Sequence, residues 1–276
     1  MDWVAPALGS GLGNRLFQYA AAAGAAEAWG RPVVFLAERC GDSPHGAVAT
    51  IFRLFPNVPL LEALQIYTEY KEPPKQYYTY FPVGPAPTGN CCVISGARQS
   101  PLYFPTYPLT PSWDNGLGGP IVRRMIERDA GLINLEERKR TVSLHVRLGD
   151  YLKLPHHQVE LASYYAQALK RIPRGYRLHL FSEQPELCWK PFEQFCRDNG
   201  NQYTIAKPRA DVESLYEMSL CLGGNITANS TFSWWGAWFA HQSGSPWATY
   251  PDNWGKGMPE ATDIVPSWGI TLSTGA

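Results

Sequence analysis

The sequence predicts an α/β protein built around a parallel sheet, and three observations support this fold class. From residue 141 to residue 242, segments with a strand pattern alternate with segments of helical length. The run 141–148, TVSLHVRL, alternates apolar and polar side chains with the period of a strand. It stops at a Gly-Asp turn signal. Such alternation of strands and helices is typical of βαβ units, whose strands run parallel.

In the first part of the chain the pattern predicts short strands around one long helix. The predicted elements are strands at 3–8, 33–36 and 91–96, and an Ala-rich helix from residue 15 to Trp29. Gly30 and the proline just beyond it mark the end of that helix. The stretch from about Cys40 to Pro120 is the least regular, and its Tyr- and Pro-rich parts, 67–87 and 101–113, predict loops.

The second part of the chain has a clearer rhythm. Its predicted strands are 141–148, 177–182, 203–205 and 225–228, and its predicted helices are 120–134, 161–172, 185–199, 211–222 and 231–242.

Length and charge exclude several classes of function. The 276 residues can form one large domain or two compact ones of about 100–150 residues. The 24 basic and 24 acidic side chains balance, which removes the usual argument for a nucleic acid or an anionic membrane as partner. We expect a soluble, cytoplasmic protein, because the start lacks a signal-peptide pattern and no apolar run reaches the ~20 residues of a membrane span.

The six cysteines do not suggest a metal site. None forms a C-x-x-C pair, and no cysteine and histidine have the spacing of zinc ligands. We therefore expect reduced thiols and no structural metal.

His145 and Arg147 lie two residues apart, on one face of the predicted strand and close to its end. In open α/β sheets ligands bind beyond the carboxyl ends of the strands. A guanidinium there is suited to bind phosphate through two parallel N–H bonds. The alternative is a half-exposed strand whose polar face meets water.

The glycine-rich segment 9–14 lies between a predicted strand and a helix, where backbone N–H groups can approach a phosphate. Its spacing is neither that of a dinucleotide fingerprint nor that of a Walker A loop. The unusual residue is Asn14, which follows Gly13. Its amide could cap the helix or donate to an oxygen of a ligand.

A second helix start has an unusual concentration of polar side chains. After the strand 225–228 come Asn229, Ser230, Thr231 and Ser233, and then an aromatic helix. Capping requires one such side chain, whereas this segment supplies four. The surplus favours a diphosphate cradle at the helix N-terminus, while the tryptophans of the helix form a core-facing stripe.

Three motifs together resemble the α-1,2-fucosyltransferases of glycosyltransferase family 11. They are GLGNRLFQYA at 11–20, HVRLGDY at 145–151 and NSTFSWWGAW at 229–238. The resemblance implies a GT-B-type fold, with two Rossmann-like halves facing each other across a cleft. Residues 1–135 would then be the acceptor-side half with the glycine-rich loop, and residues 136–276 the GDP-sugar-binding half.

The resemblance further implies an inverting transfer of L-fucose from GDP-fucose to a sugar hydroxyl, with galactose the expected acceptor. GDP-fucose is then a donor substrate, and no cofactor is implied. Arg147 would grip the β-phosphate and His145 the nucleotide. The residues assigned to the donor are Gly13, Asn14, His145, Arg147, Glu183, Asp211, Ser230, Thr231, Phe232 and Ser233.

Such a displacement requires a positive charge at the leaving group and a base at the acceptor. The chain has no D-x-D pair, so we expect Arg147 and helix N-termini to replace a metal ion. Asp150 is the candidate base, with His157 and Glu160 as alternatives. Asp150 could equally form a turn or pair with Arg147.

The sequence departs from the family pattern in three places. Leu148 replaces a second arginine, and residues 183–184 read Glu-Gln where the family has Asp-Asp. Ser214 replaces an aspartate, with Asp211 and Glu213 nearby as possible substitutes. These departures keep two alternatives open. One is a non-catalytic GDP- or glycan-binding protein of the same fold, and the other is a transferase for another GDP-sugar.

Overall fold

The computed structural model describes residues 2–39, 49–63, 66–74, 78–257 and 263–275. The chain forms two compact units. The first comprises residues 1–119 and 261–266, and the second residues 120–260 and 267–276. The beginning of the stretch predicted to be irregular, at Cys40, lies outside the described residues.

The first unit contains two parallel sheets. Its elements are β1 (Val4–Pro6), α1 (Leu12–Trp29), β2 (Phe35–Leu36), α2 (Ala49–Leu54), β3 (Leu60–Leu61), β4 (Tyr67–Lys71), β5 (Cys91–Ser95) and α3 (Trp113–Leu117). One sheet has the order β1-β5-β4, and β2 pairs with β3 in the other. The alanines of α1 allow it to pack closely, and Gly30 ends it in the left-handed conformation with φ of 62°.

Two predictions for this unit were wrong. The long helix begins at Leu12 rather than at residue 15, because Gly11 adopts the extended backbone of an N-cap and the chain turns into the helix directly after it. The predicted loop 67–87 begins with the strand β4. Its five residues contain no proline, so their N–H groups can pair with β5 at the edge of the sheet.

The second unit is a six-stranded parallel sheet between helices. Its elements are α4 (Pro120–Asp129), α5 (Leu135–Lys139), β6 (Thr141–His145), α6 (Ala162–Leu169), β7 (Arg177–Phe181), α7 (Trp189–Asn199), β8 (Gln202–Ile205), α8 (Asp211–Ser219), β9 (Gly224–Ile226), α9 (Thr231–Gln242), β10 (Ala248–Pro251) and β11 (Ile270–Leu272). The strand order is β11-β10-β9-β6-β7-β8. The α/β class with parallel strands is therefore confirmed.

Strand β6 lies in the middle of this sheet, and all five of its residues are buried. Val142 and Leu144 pack against α6 and α7, while Ser143 donates to the side-chain oxygen of Asn225 on β9 at 2.8 Å. The alternative of a half-exposed strand was wrong, because both the apolar and the polar face of β6 are buried.

The strand is also shorter than the predicted 141–148. It ends at His145, followed by one more backbone bond from Val146 N to Phe181 O at 2.9 Å. The chain then turns, with Gly149 at φ of 43°. Arg147 therefore lies in the loop beyond the strand, at the carboxyl edge of the sheet.

Other boundaries of the second unit also differ from the prediction. The helix predicted at 120–134 ends at Asp129, followed by Gly131 with φ of 62°. The capping box of Asn134 and Glu137 then starts the separate helix α5. The strands β10 and β11 were missed because they are short and lack a periodic signal. The helix α9 matches its predicted bounds.

A buried ionic network links β7 to α8. His179 Nε2 lies 2.8 Å from Glu217 Oε1, and Arg209 Nε donates to Glu217 Oε2 at 2.9 Å. Glu217 is 1% and His179 is 2% exposed. The three side chains satisfy one another in the interior, as buried charges require.

Candidate functional site

Three neighbouring strands deliver the candidate residues to one edge of the second sheet. Arg147 follows β6, Glu183 follows β7, and Asn229 follows β9; β6 is hydrogen-bonded to the other two strands. Since all three strands are parallel, their carboxyl ends meet at the same edge. This is the edge where open α/β sheets bind ligands.

Arg147 is held by two carboxylates. Its Nη2 donates to Asp150 Oδ1 at 2.6 Å, and its Nη1 forms an ion pair with Glu183 Oε1. The other carboxylate oxygen of Glu183 accepts a hydrogen bond from Leu148 N at 3.3 Å. The pairing of Asp150 with Arg147, one of the alternatives left open by the sequence, is therefore present. The three side chains carry one positive and two negative charges.

Tyr151 connects Arg147 to the turn before α9. The Cζ of Arg147 lies 5.2 Å from the centre of the Tyr151 ring, and Tyr151 Oη donates to Asn229 O at 3.2 Å. The ring also stacks on His157, with centres 4.3 Å apart and planes 10° from parallel. Burial raises the pKa of Tyr151 to about 12, so its hydroxyl remains a proton donor at neutral pH.

His145 is a buried neutral imidazole at the end of β6. Burial and, secondarily, the charge of Arg147 lower its pKa to about 3. It is 3% exposed, and its Nδ1 has no hydrogen-bond partner among the described residues. The ring centre lies 6.0 Å from that of Phe232, in the first turn of α9. An imidazole held neutral in this way can donate or accept one hydrogen bond.

The polar residues at the start of α9 have different roles. Asn229 Nδ2 donates to His157 O at 3.1 Å and to Trp254 O at 3.2 Å, so its amide holds two loops. Ser233 Oγ accepts from Ala228 N and donates to Ser230 O. Ser230 is the N-cap residue, yet in the described structure its side chain makes no cap hydrogen bond.

The capping alternative therefore does not account for this segment. Two of its side chains brace the turn, and the side chain of the N-cap residue Ser230 makes no cap hydrogen bond. The N-terminus of a helix is electropositive, because its first N–H groups have no partner within the helix. The tryptophans are core residues as predicted, but α9 is buried around most of its circumference rather than along one stripe.

The candidate bases differ in their surroundings. Asp150 is paired with Arg147. Burial and the neighbouring His156 lower the pKa of His157, whose Nδ1 has no partner within the described ranges. Glu160 is exposed and accepts from Ala162 N at 2.9 Å, at the start of α6. Of the three candidates, Asp150 is the one that the structure shows in direct contact with Arg147.

In the first unit, Gly13 and Asn14 lie in the first turn of α1. Gly11, not Asn14, is the N-cap residue, so the capping role considered for Asn14 is wrong. Asn14 Oδ1 accepts from Gln99 Nε2 at 3.0 Å, which orients its amide. The preceding loop contains Ser10 in the left-handed conformation, with φ of 63°. A non-glycine residue there carries backbone strain, a feature that concentrates at functional sites.

The sequence identified Arg147, Asp150, His145, Phe232 and the start of α9 as candidates. It did not reveal that Tyr151 connects Arg147 to the turn before α9. Tyr151 was present as the last residue of the HVRLGDY motif, but its contact with Asn229 is a tertiary one. Asp211, the remaining predicted donor residue, is exposed at the first position of α8.

Within the described residues, no group of three or more His, Cys, Asp or Glu side chains has the arrangement needed to hold a metal ion. None of the helices in the same residues is both long and apolar enough to cross a bilayer.

Two comparisons of sequence find similar proteins, and the first of them falls within the second unit. Residues 121–254 match the model of glycosyl transferase family 11. The O-antigen biosynthesis glycosyltransferase WbnK of Escherichia coli is 31% identical over 141 residues. That match covers 48% of this chain and 45% of WbnK, so it spans less than half of the relative's length.

Solved structures of the fucosyltransferase NodZ are similar at lower identity. NodZ α-1,6-fucosyltransferase co-crystallised with GDP has a TM-score of 0.47 at 14% identity, covering 85% of this chain and 91% of that one. The form soaked with GDP-fucose has a TM-score of 0.45 at 15% identity, with the same coverage. Fucosyltransferase NodZ from Bradyrhizobium has a TM-score of 0.46 at 13% identity, again with 85% and 91% coverage.

Proposed function

We propose that the protein transfers L-fucose from GDP-fucose to a sugar hydroxyl, because residues 121–254 match the model of glycosyl transferase family 11. The transfer inverts the anomeric carbon, forms an α-1,2 linkage to a galactose-terminated acceptor and requires no metal ion. The observation that carries the proposal is the direct connection between Arg147 and the start of α9 through Tyr151.

The connection matters because the departing GDP must be neutralised. Negative charge builds on its β-phosphate as the bond to the sugar breaks, and a preorganised positive group lowers the barrier. Arg147 supplies a full positive charge and a planar pair of donors, which suits phosphate geometry. The N-terminus of α9, whose N-cap side chain makes no cap hydrogen bond, supplies backbone N–H groups and a partial positive charge.

The reaction is a single displacement. The acceptor hydroxyl oxygen bonds to the anomeric carbon of fucose as the bond from that carbon to the phosphate oxygen breaks. The electron pair of the broken bond leaves with GDP, and the hydroxyl proton passes to a carboxylate. Asp150 is the proposed base, since binding of phosphate by Arg147 releases the carboxylate from its ion pair.

The remaining predicted residues keep supporting roles in the proposal. His145 and Phe232 contact the nucleotide next to the phosphates, where the Nδ1 of His145 is available for a hydrogen bond. Ser230, Thr231 and Ser233 surround the diphosphate at the helix start. Glu183 acts on the donor through Arg147, which it contacts directly. Gly13, Asn14 and Asp211 are assigned to the donor on the family resemblance.

The test is release of GDP in the presence of a panel of GDP-sugars and glycan acceptors. We expect turnover with GDP-fucose and a galactose-terminated acceptor, and loss of about a hundredfold or more in Arg147→Ala because a charged transition-state contact is removed. Arg197→Ala is the matched control, since Arg197 is 65% exposed on α7. It should behave as the unsubstituted protein does.

Other outcomes would identify the alternatives. Tight GDP binding without transfer to any acceptor would indicate a non-catalytic binder. Turnover with a different GDP-sugar would support the proposed site and show that the donor is not GDP-fucose. A protein that neither binds GDP nor releases it would contradict the proposal.

A further inference from the structure

The contacts of Tyr151 form a closed cycle at the carboxyl edge of the second sheet. Its hydroxyl donates to Asn229 O at 3.2 Å, and the amide of Asn229 donates to His157 O at 3.1 Å. The ring of His157 in turn stacks on the ring of Tyr151 at 4.3 Å. Each member contacts the other two, so the position of Tyr151 is fixed relative to Asn229.

Arg147 is attached to this cycle through the aromatic ring. Its Cζ lies 5.2 Å from the ring centre, within the range in which a guanidinium is attracted to an aromatic face. The contact uses the ring and leaves the five N–H donors of Arg147 available for acceptors. Two carboxylates, of Asp150 and Glu183, occupy some of these donors.

Asn229 immediately precedes Ser230, the N-cap residue of α9. The cycle therefore joins the loop after β6 to the helix start after β9, and Tyr151 and Asn229 lie 78 residues apart in the sequence. When phosphate replaces the carboxylates, the ring contact persists, because it does not compete for the N–H donors. The ring then becomes the contact that maintains the distance between Arg147 and α9.

We propose that Tyr151 is a positioning residue for diphosphate binding, which holds the Arg147 guanidinium in register with the N-terminus of α9. This inference rests on the proposed function of the same site. The aromatic ring of Tyr151 contacts Arg147, and its hydroxyl group holds the ring in place by donating to Asn229 O.

The test compares substitutions that separate the ring from the hydroxyl. Tyr151→Leu removes both and should weaken GDP binding about tenfold, a loss within the range of a cation–π contact. Tyr151→Phe keeps the ring and should restore binding to within about threefold of the unsubstituted protein, because the lost neutral hydrogen bond is weak. Isothermal titration with GDP alone measures both variants.

Tyr176→Leu is the matched control. Tyr176 is also partly buried against the core of the second unit, but it directly precedes β7 and so lies at the opposite edge of the sheet. We expect an unchanged affinity for GDP in this variant. Unfolding midpoints of both leucine variants show whether a general loss of stability accompanies the substitutions. If Tyr151→Leu does not fold, Tyr151→Met, with its longer side chain, takes its place.

A double variant tests whether Tyr151 acts through Arg147. If it does, Tyr151→Leu has no further effect on GDP affinity once Arg147→Ala is present, whereas independent effects multiply. In turnover, Tyr151→Leu should raise the KM for GDP-fucose and leave the KM for the acceptor unchanged. A merely structural role would change both constants.

The outcomes separate this inference from the proposed function. Affinity for GDP that is unchanged in Tyr151→Leu, or multiplicative losses in the double variant, would overturn the positioning role and leave the transferase proposal standing. Failure of the unsubstituted protein to bind GDP would overturn both.

Discussion

The guanidinium of Arg147 and the carboxylate of Glu183 form an ion pair between residues that follow neighbouring strands, β6 and β7. Asp150 pairs with the same guanidinium from the other side of the turn. The cation proposed to receive phosphate is thus already neutralised by two carboxylates. In the proposed complex phosphate competes with these carboxylates for the guanidinium, so they would oppose donor binding and favour release of GDP.

Replacing Glu183 by glutamine should therefore tighten GDP binding. The neutral amide still accepts from Leu148 N but no longer competes with phosphate by charge. Both partners are partly exposed, at 24% for Arg147 and 37% for Glu183, so the ion pair contributes about 1 kcal/mol at most. Its loss corresponds to about a fivefold lower Kd, which isothermal titration would detect.

The control for this prediction is Glu193→Gln on α7. Glu193 is also 37% exposed and pairs with an arginine, Arg197. Its replacement should leave GDP affinity unchanged. Weaker GDP binding in Glu183→Gln would show that the carboxylate mainly orients Arg147 and would refute the competition.

A second prediction concerns metal ions. If Arg147 and the start of α9 neutralise the leaving group, then prolonged treatment with EDTA should leave the rate of GDP release unchanged. Adding magnesium or manganese afterwards should raise it by less than about twofold, since Lewis-acid assistance contributes several kcal/mol where it operates. A rate that falls with EDTA and returns with a divalent cation would contradict the prediction.

His145 should make the protein sensitive to acid. In the unfolded chain its imidazole binds a proton near pH 6.5, whereas in the folded protein the pKa is about 3. The unfolded state therefore binds more protons between these values, and stability falls as the pH decreases from 6.5 toward 3. At pH 5 the loss from this residue is about 2 kcal/mol.

Denaturant unfolding at pH 7 and pH 5 measures this effect. The free energy of unfolding of His145→Gln should decrease by about 2 kcal/mol less than that of the unsubstituted protein over this interval. His156→Gln, at an exposed position, serves as control. Equal pH dependence in the unsubstituted protein and His145→Gln would rule out the assigned neutral imidazole.

The buried network of Arg209, Glu217 and His179 gives a prediction about stability. Arg209→Met removes a hydrogen-bonded counter-charge from Glu217, which is 1% exposed. Breaking one side of a buried ion pair should lower the free energy of unfolding by about 3–5 kcal/mol. Arg197→Met, which breaks the exposed pair on α7, should cost about 1 kcal/mol or less. Similar losses in both variants would contradict the network's role.

The sequence predicted the α/β class and most elements of the second unit, because buried strands and packed helices leave periodic patterns. The helix α9 was predicted at its observed bounds, since a polar cluster marks its start and the aromatic run its length. The short strands β10 and β11 escaped prediction because three or four residues do not reveal a period. They are recognised as strands only by their parallel pairing, of β10 with β9 and of β11 with β10.

The site was predictable in part for a similar reason. Motif residues on one segment, such as His145 and Arg147, are visible in the sequence. The resemblance to the family is confirmed by the match of residues 121–254 to its model. That match includes the second and third motifs and lies beyond the first. The link from Tyr151 to Asn229 joins distant segments and depends on strand order, which local patterns do not encode.

The hydrogen bonds of the Asn229 amide also bear on the chemical stability of this residue. Its two N–H bonds hold the loops at His157 and Trp254, and its neighbour in the sequence is a small residue, Ser230. Spontaneous deamidation to aspartate would remove both donors and place a negative charge where phosphate is proposed to bind. Because Asn229 is 3% exposed and its amide nitrogen makes two hydrogen bonds, we expect this residue to deamidate slowly.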